Sequence, residues 1–430
     1  MGDYARRYSR PRPSVTESKP SQRGLLTRLR GLAHDARNML RFLTAGESHG
    51  PGLAVIVEGM PAGVPIHRDA VNADLARRQG GYGRGGRMKI EKDAVEILSG
   101  IRHGSTLGSP IALVVRNRDH VNWSDVMSPD PQPDEARERR RLRYPRPGHA
   151  DLAGAIKYGT TDLRNVLERA SARETTARVA AGALARALLL QAGIEVRSHV
   201  VRIANATLPN DLAISWDALD HVEDSPVRCI HKDTGAAMIT EIDRAKKDGD
   251  SVGGEVEVIV QGAPAGLGSY THWDRRLDGR LAQALMSIHA VKAVALGAGF
   301  DAGATRGSAF HDEIVLSDTE GVTRPTNRAG GIEGGVTNGT PIHARAVIKP
   351  IPTLLIPLRS VDLTTREPQK ASVERSDTCV VPAAGVVAEA MVSWILADAL
   401  LEKLGGDSLP ELLDHLRTTR AQQEKITGAQ

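Results

Sequence analysis

Gly100-Ile-Arg-His-Gly-Ser-Thr-Leu-Gly-Ser-Pro-Ile111 returns later in the chain as Gly331-Ile-Glu-Gly-Gly-Val-Thr-Asn-Gly-Thr-Pro-Ile342, with seven of twelve positions identical. A second pair precedes each copy: Val57-Glu-Gly-Met-Pro-Ala-Gly-Val64 and Val260-Gln-Gly-Ala-Pro-Ala-Gly-Leu267. Both pairs place Gly and Pro between β-rich runs, which is turn chemistry. Their common order predicts two related halves, about 40–190 and 250–400, each with strand, turn, Gly-rich loop and strand. The competing reading is that Gly-rich loops resemble one another by composition alone. If the repeat is real, loops 100–111 and 331–342 occupy related places.

The rest of the chain fits the same frame. Residues 53–58 read as a strand ending in the turn 59–63, and 72–78 as a short helix running into the glycines at 80–86. Residues 111–115 are a strand, 129–143 a charged, Pro-bounded exposed loop, and 161–191 one long helical stretch stopped by Gly193. Residues 253–260 read as a strand, 274–290 as a helix, and 386–404 as a buried helix with Gly405 and Gly406 at its end. Ile342, Ala344, Ala346 and Ile348 alternate with more polar neighbours, the pattern of a half-buried strand. Strands and helices are mixed with hairpin-like connections, so the class is α+β rather than strict βαβ winding.

The chain has 430 residues, 40% of them hydrophobic but only 3% aromatic, so the core must be built from Ala, Val, Leu and Ile. Residues 1–38 carry nine basic and three acidic side chains, which leaves the remainder with 47 basic and 49 acidic ones. The basic balance belongs to this N-terminal segment, read as a disordered extension or as sequence upstream of a start at Met39. The slightly acidic body does not suit nucleic acid. Two cysteines, Cys229 and Cys379, without CxxC or metal-ligand spacing, predict no disulfide framework, no metal and a reducing cytoplasm. No apolar run reads as a membrane span, and the N-terminal segment lacks the apolar core of a signal peptide.

Two histidines lie in loops of small residues, His49 in 46–52 and His149 in 146–151. A Gly-flanked imidazole can approach a ligand closely and move a proton near neutral pH. Arginines crowd the same regions: Arg77, Arg78, Arg84 and Arg87 around the glycines at 80–86, and Arg146 beside His149. Forked guanidinium groups suit carboxylate or phosphate, hence a small anionic substrate. An RGG-like RNA contact at 83–87 is the rival, disfavoured because Tyr82 is the one stacking aromatic nearby. The arginines at 137–143 read as a solvated face. Arg169 to Arg173, residues 327–335 and residues 349–353 offer glycine N–H groups, hydroxyls and a lysine to a phosphorylated cofactor, though none is a P-loop. From spacing alone, Asp377 belongs to a surface turn or an ion pair near a helix.

At these residues the sequence resembles the chorismate synthase family. Three segments carry that family's signatures: GESHGPGLAVIVEGMP (46–61), LERASARETTARVAAGALA (167–185) and RSDTCVVPAAGVVAEAM (375–391). RQGGYGRGGRM, LSGIRHGSTLGSPI, RPGHADLAGAIKYG, KKDGDSVGG, TNRAGGIEGG and KPIPT support them, and the resemblance runs in order over about 39–405. It implies a catalytic body at 39–405, with 406–430 as a helical tail. It also implies a β-α-β-α sandwich with internal pseudo-symmetry, assembled as a homotetramer without membrane or nucleic-acid partners. The implied reaction converts 5-enolpyruvylshikimate 3-phosphate to chorismate by anti-1,4 elimination and requires reduced FMN without net redox change.

The resemblance also implies roles. His49 assists departure of phosphate, His149 keeps the flavin in its required protonation state, and Asp377 assists deprotonation at the flavin nitrogen that abstracts the C6 hydrogen. Ser48, Arg78, Arg84 and Arg146 clamp the substrate. FMN is held by Arg169, Ala170, Ser171, His289, Ala290, Gly334, Lys349, Pro350, Ile351, Pro352, Thr353 and Arg375. His289 stands where the family has an amide, and Ala293 where it has glycine. Some members reduce their own flavin with NADPH; the length and motifs here fit the monofunctional type, served by an external flavin reductase.

Overall fold

The computed structural model describes residues 40–85, 92–209, 212–317, 321–374 and 377–428. The basic segment 1–38 and residues Arg87, Arg375 and Ser376 lie outside them.

Alternation of apolar and polar residues builds two antiparallel sheets. The first has the spatial order Arg41–Gly46, Gly52–Glu58, Ile111–Arg116, Val95–Ile97. The second runs Val291–Leu296, Ile342–Ile348, Gly254–Gln261, Glu195–Ile203, Ala206–Thr207. In the strand Gly52–Glu58, Leu53, Val55 and Val57 are buried while Ile56 and Glu58 face outward, as a period of two dictates.

The two Gly-rich loops make the same bonds. Each forms a short hairpin, Ile101–Arg102 with Ser105–Thr106 and Ile332–Glu333 with Val336–Thr337. The Thr106 hydroxyl donates to the Pro61 carbonyl and accepts from the Val64 N–H. The Thr337 hydroxyl donates to Pro264 and accepts from Leu267. Val57 faces Ile111 across one sheet, and Val260 faces Ile342 across the other. His103 takes a positive φ of 51° where Gly334 has 59°. The likeness of the two segments is therefore conformational as well as compositional.

Helices Arg68–Gln79 and Thr175–Gln191 cover the inner face of the first sheet; Leu277–Met286 and Val381–Leu404 cover that of the second, and the helix pairs pack on each other. These sheets and helices pack in layers, the α+β arrangement expected of the chain. The first sheet buries one apolar face, whereas the central strands of the second also bury His199, Glu257 and Ile259 on the other face. Helix Val381–Leu404 is long and apolar enough to cross a membrane, but it is enclosed by these layers. Small residues set the helix spacing: a Cβ on Gly182 would lie 2.4 Å from the Cβ and 2.6 Å from the Cα of Ala390.

Two sequence expectations change. The stretch 161–191 is not one helix but Arg164–Ala170 and Thr175–Gln191, separated by Ser171 in extended geometry (φ −68°, ψ 140°) and a 3-10 turn at Ala172–Glu174. The Ser171 hydroxyl accepts from the Arg173 N–H and so competes with the helix. The helix expected over 274–290 is Leu277–Met286, and Ala290 adopts φ 69°, outside any helix. The C-terminal helix Leu409–Thr427 opens with a Ser408–Glu411 capping box. It docks through Leu409, Leu412 and Leu416, and the Leu409 N–H donates to Ala62 in the first repeated turn.

Mid-helix, Glu389 is buried against Arg77 and Arg228, each at 2.8 Å, and accepts from the Ser198 hydroxyl at 2.8 Å. Burial opposes its charge, but Arg77, Arg228 and Arg186 prevail and hold its pKa at about 2. A carboxylate depressed in this way contributes stability that is complete above its unfolded value and lost as pH falls through the folded one. Wild type is therefore expected to lose stability between about pH 4.5 and 2 with a steeper slope than Glu389→Gln, as read by urea unfolding against pH. Gly182→Ala, despite better helix propensity, is expected to cost about 2 kcal/mol by overpacking, measurable in the same urea titrations.

Candidate active site

Loop 46–52 joins the first two strands and carries Ser48 and His49. Gly46 has φ 107°, and a Cβ there would meet the Gly52 carbonyl oxygen at 2.3 Å, so only glycine closes the loop. Asn117 donates its side-chain amide to the carbonyls of Glu47 (3.1 Å), Ser48 (3.3 Å) and Gly50 (2.8 Å). Arg173 steadies Asn117 from behind, donating to its Oδ1 at 3.0 and 2.9 Å, and pairs with Asp93 at 2.7 Å. Ser48 is buried, and its hydroxyl accepts from Ser171 at 3.1 Å. His49 Nδ1 lies 2.9 and 3.1 Å from the two carboxylate oxygens of Glu168, which also accepts the His49 N–H at 2.8 Å.

Arg78 comes from the last turn of helix Arg68–Gln79 and is buried. Its Nε donates to the Thr175 hydroxyl at 2.9 Å and its Nη2 to the Ala172 carbonyl at 3.0 Å. Nη1 lies 3.5 Å from Asp93 and makes no hydrogen bond. Burial lowers this guanidinium to about 9; Asp93 opposes the shift, while Arg173 and Arg84 add to it. It stays cationic at neutral pH, with one N–H edge left for an anion. Arg84 pairs with Asp377 at 3.0 Å, and Asp377 accepts the Gly85 N–H at 2.6 Å.

A second cluster follows from 146–151. Arg146 grips Asp151 through Nε (2.8 Å) and Nη2 (3.0 Å) and donates from Nη1 to the Thr353 hydroxyl at 3.1 Å. His149 Nδ1 lies 2.6 Å from Asp151. Burial disfavours the Asp151 charge, but bonds from His149 and Arg146 hold it far below the usual carboxylate range. Residues 349–353 wrap this cluster. Lys349 donates to the Gly148 carbonyl at 2.8 Å, its N–H donates to Ala290, and the Ile351 carbonyl accepts from Ser251. Pro350 links these anchors, and Pro352 lies 3.6 Å from where a side chain on Gly148 would begin. Burial, then Lys292, lower the Lys349 amine.

His289 joins the two clusters. Burial lowers its pKa; Glu174, 4.0 Å away, opposes this, while the charges of Arg178, His149 and Arg78 add to it. Its Nδ1 is buried and makes no hydrogen bond.

Three assignments stand apart. Arg169 turns its guanidinium onto the carbonyls of Gly46 and Thr44, at 3.1 and 3.0 Å, with Ala170 half-buried beside it. Gly334 lies in the hairpin before strand Ile342–Ile348, whereas Lys349 follows that strand, so about 20 Å of extended chain separates them. Arg375 is outside the described residues. Sequence reasoning missed Glu168, Asp151, Arg173, Asn117, Asp93 and Trp123. The first three lie inside motifs quoted above, and the last three gave no sequence signal.

The whole of this cationic site is built from segments that a family model for chorismate synthase matches over residues 40–401. The chain belongs to the chorismate synthase family. The chorismate synthase of Moorella thermoacetica is 58% identical over 388 residues, covering 90% of this chain and 100% of that protein. That of Brevibacillus brevis is 56% identical over 388 residues, with the same coverage. A crystal structure of chorismate synthase superposes with a TM-score of 0.71 at 43% identity, covering 89% of this chain and 98% of the other. The activity is accordingly that of a carbon–oxygen lyase of the shikimate pathway, forming chorismate from 5-enolpyruvylshikimate 3-phosphate.

Asp151→Asn removes the carboxylate that orients both Arg146 and His149. Breaking such a buried pair is expected to cost ~3–5 kcal/mol of stability at pH 7, the difference shrinking as pH falls below the ordinary carboxylate range. Thermal unfolding of both proteins across pH checks it.

Proposed function

We propose that this site elides phosphate from 5-enolpyruvylshikimate 3-phosphate against reduced FMN, with roles divided between the two clusters. The observation that carries this reading is the cation set of buried Arg78 and Arg146 with half-buried Arg84 and Lys349, in which Arg78 Nη1 and His289 Nδ1 are buried without a hydrogen bond. A substrate with three anionic groups and an anionic phosphorylated cofactor both need such groups, fixed in a low-dielectric site.

Ser48, Arg78, Arg84 and Arg146 hold the substrate phosphate and carboxylates. His49 delivers a proton or positive charge to the departing phosphate. Reduced FMN, when bound, supplies the electron-rich centre that takes the C6 hydrogen. Asp377, held by Arg84, would serve as the base beside the flavin nitrogen, and His149, held by Asp151, would keep the flavin in its required protonation state. Arg169, Ala170, Ser171, His289, Ala290 and Lys349 to Thr353, with Arg375, flank the cofactor. The two His-bearing loops thereby separate the leaving-group end from the flavin end.

The body at 39–405 is the catalytic unit, 406–430 its helical tail, and the matching hairpins support two related halves. A homotetramer accords with the exposed outer face of the first sheet, where Leu43 is 72% and Ile56 49% exposed. It also accords with Gly334, which would then serve a neighbouring copy's site. A cytoplasmic setting suits two buried free cysteines, and a separate reductase supplies reduced flavin.

The deciding experiment is anaerobic phosphate release from the substrate with and without chemically reduced FMN. Chorismate forming only with reduced FMN is the expected result; a folded, FMN-binding protein that releases no phosphate sinks the reading. Turnover on NADPH and oxidised FMN alone would show an intrinsic reductase and remove the external one.

A further inference from the structure

The His49 ring is fixed on two sides by groups that no motif reading assigned. Along one edge lies Glu168, whose carboxylate takes both the ring Nδ1 and the His49 main-chain N–H. Against one face lies Trp123, with ring centroids 3.9 Å apart and planes 28° from parallel. Trp123 is itself held: its Nε1 donates to Asp119 at 3.3 Å, and the Arg140 guanidinium covers its ring at 3.7 Å. Arg164 lies 5.1 Å from the same ring and 3.5 Å from Glu168.

These contacts select one form of the imidazole. Burial disfavours the charge on Glu168, but its bonds to His49 and the nearby Arg164 keep it ionised. An ionised carboxylate accepts and cannot donate, so Nδ1 must carry hydrogen. Nε2 makes no hydrogen bond among the described residues. Turning the ring over, which would take Nδ1 off Glu168, requires it to sweep across the indole face, and the Arg140–Trp123 stack obstructs this.

We propose that Glu168 and Trp123 are positioning residues that lock His49 as its Nδ1–H tautomer, with Nε2 as the working nitrogen. The proposal rests on the reading that His49 serves the departing phosphate. It adds that the serving atom is Nε2, and that Arg140, from a segment read as a solvated face, braces it. No electron is transferred: in the doubly protonated ring the Nε2–H bond breaks as an O–H bond forms on the departing phosphate, and the neutral ring left behind keeps its hydrogen on Nδ1, against Glu168.

The test uses the full-length protein labelled with 15N-histidine, ligand-free and followed in a pH series to the end point at which the ring-nitrogen shifts stop changing, where they report the neutral tautomer. His49→Gln assigns the signal. The expected wild-type pattern is protonated Nδ1 and bare Nε2. Glu168→Gln can present its amide NH₂ to the ring, so the Nε2–H tautomer appears; kcat falls on the order of 10-fold or more, while KM changes little. Trp123→Ala gives mixed tautomers and a lower kcat, and Trp123→Phe, which keeps a ring under His49, recovers most of that loss. An unchanged Nδ1–H tautomer in both Glu168→Gln and Trp123→Ala overturns the proposal. A changed tautomer with wild-type kcat upholds the positioning and removes His49 from the departure of phosphate.

Discussion

The site depends on a break in the helix at Ser171. By leaving helical geometry there, the chain turns its hydroxyl toward Ser48, aims Arg173 at Asn117 and Asp93, and exposes the Ala172 carbonyl to Arg78. Continuing the helix would carry each of these groups round by 100° per residue and scatter them. Three elements distant in sequence, at 46–52, 68–79 and 117, are registered on this one turn. The local hydrogen bond from the Arg173 N–H to the Ser171 side chain replaces what the helix gives up.

Around that turn, cations and carboxylates alternate. Arg173 with Asp93, Arg84 with Asp377, Arg146 with Asp151 and Arg164 with Glu168 are all partly or wholly buried. Buried ion pairs give little net stability, since desolvation offsets their attraction. What they provide is direction: each guanidinium is fixed by its carboxylate, so its remaining edge needs no reorganisation when an anion arrives. Arg78 departs from the pattern, because its nearest carboxylate, Asp93, is shared with Arg173. Its Nη1 makes no hydrogen bond, although Asp93 lies 3.5 Å away.

The scaffold carries this charge because its centre is so closely packed. With few aromatics, the core relies on short side chains, and Gly182 lets the two longest inner helices approach at Ala390. The same interface takes in Glu389, matched by Arg77, Arg228 and Arg186. Arg77 and Arg78 are neighbours on one helix, one neutralised in the core and the other facing the site. Because side chains on successive helical positions point 100° apart, a two-residue segment can serve both purposes.

Much was legible in the chain itself. Alternating apolar residues specified the main strands, the repeated Gly-Pro loops specified two hairpins of one kind, and the motifs specified the family with His49, His149 and Arg146. These depend on local backbone preference and side-chain type, which sequence carries directly. Which helix covers which sheet was not legible, because that is a choice between equally apolar surfaces. Nor were the supports: Trp123, Asn117 and Asp93 are ordinary residues in their own segments, and they matter only because folding sets them against His49, loop 46–52 and Arg173. The distance of Gly334 from Lys349 follows from the rigid length of the strand between their segments. Sequence alone thus determined the chemical groups and their local conformations. Tertiary structure decided which atom of each group is held and which is left free, because that depends on neighbours brought from elsewhere in the chain.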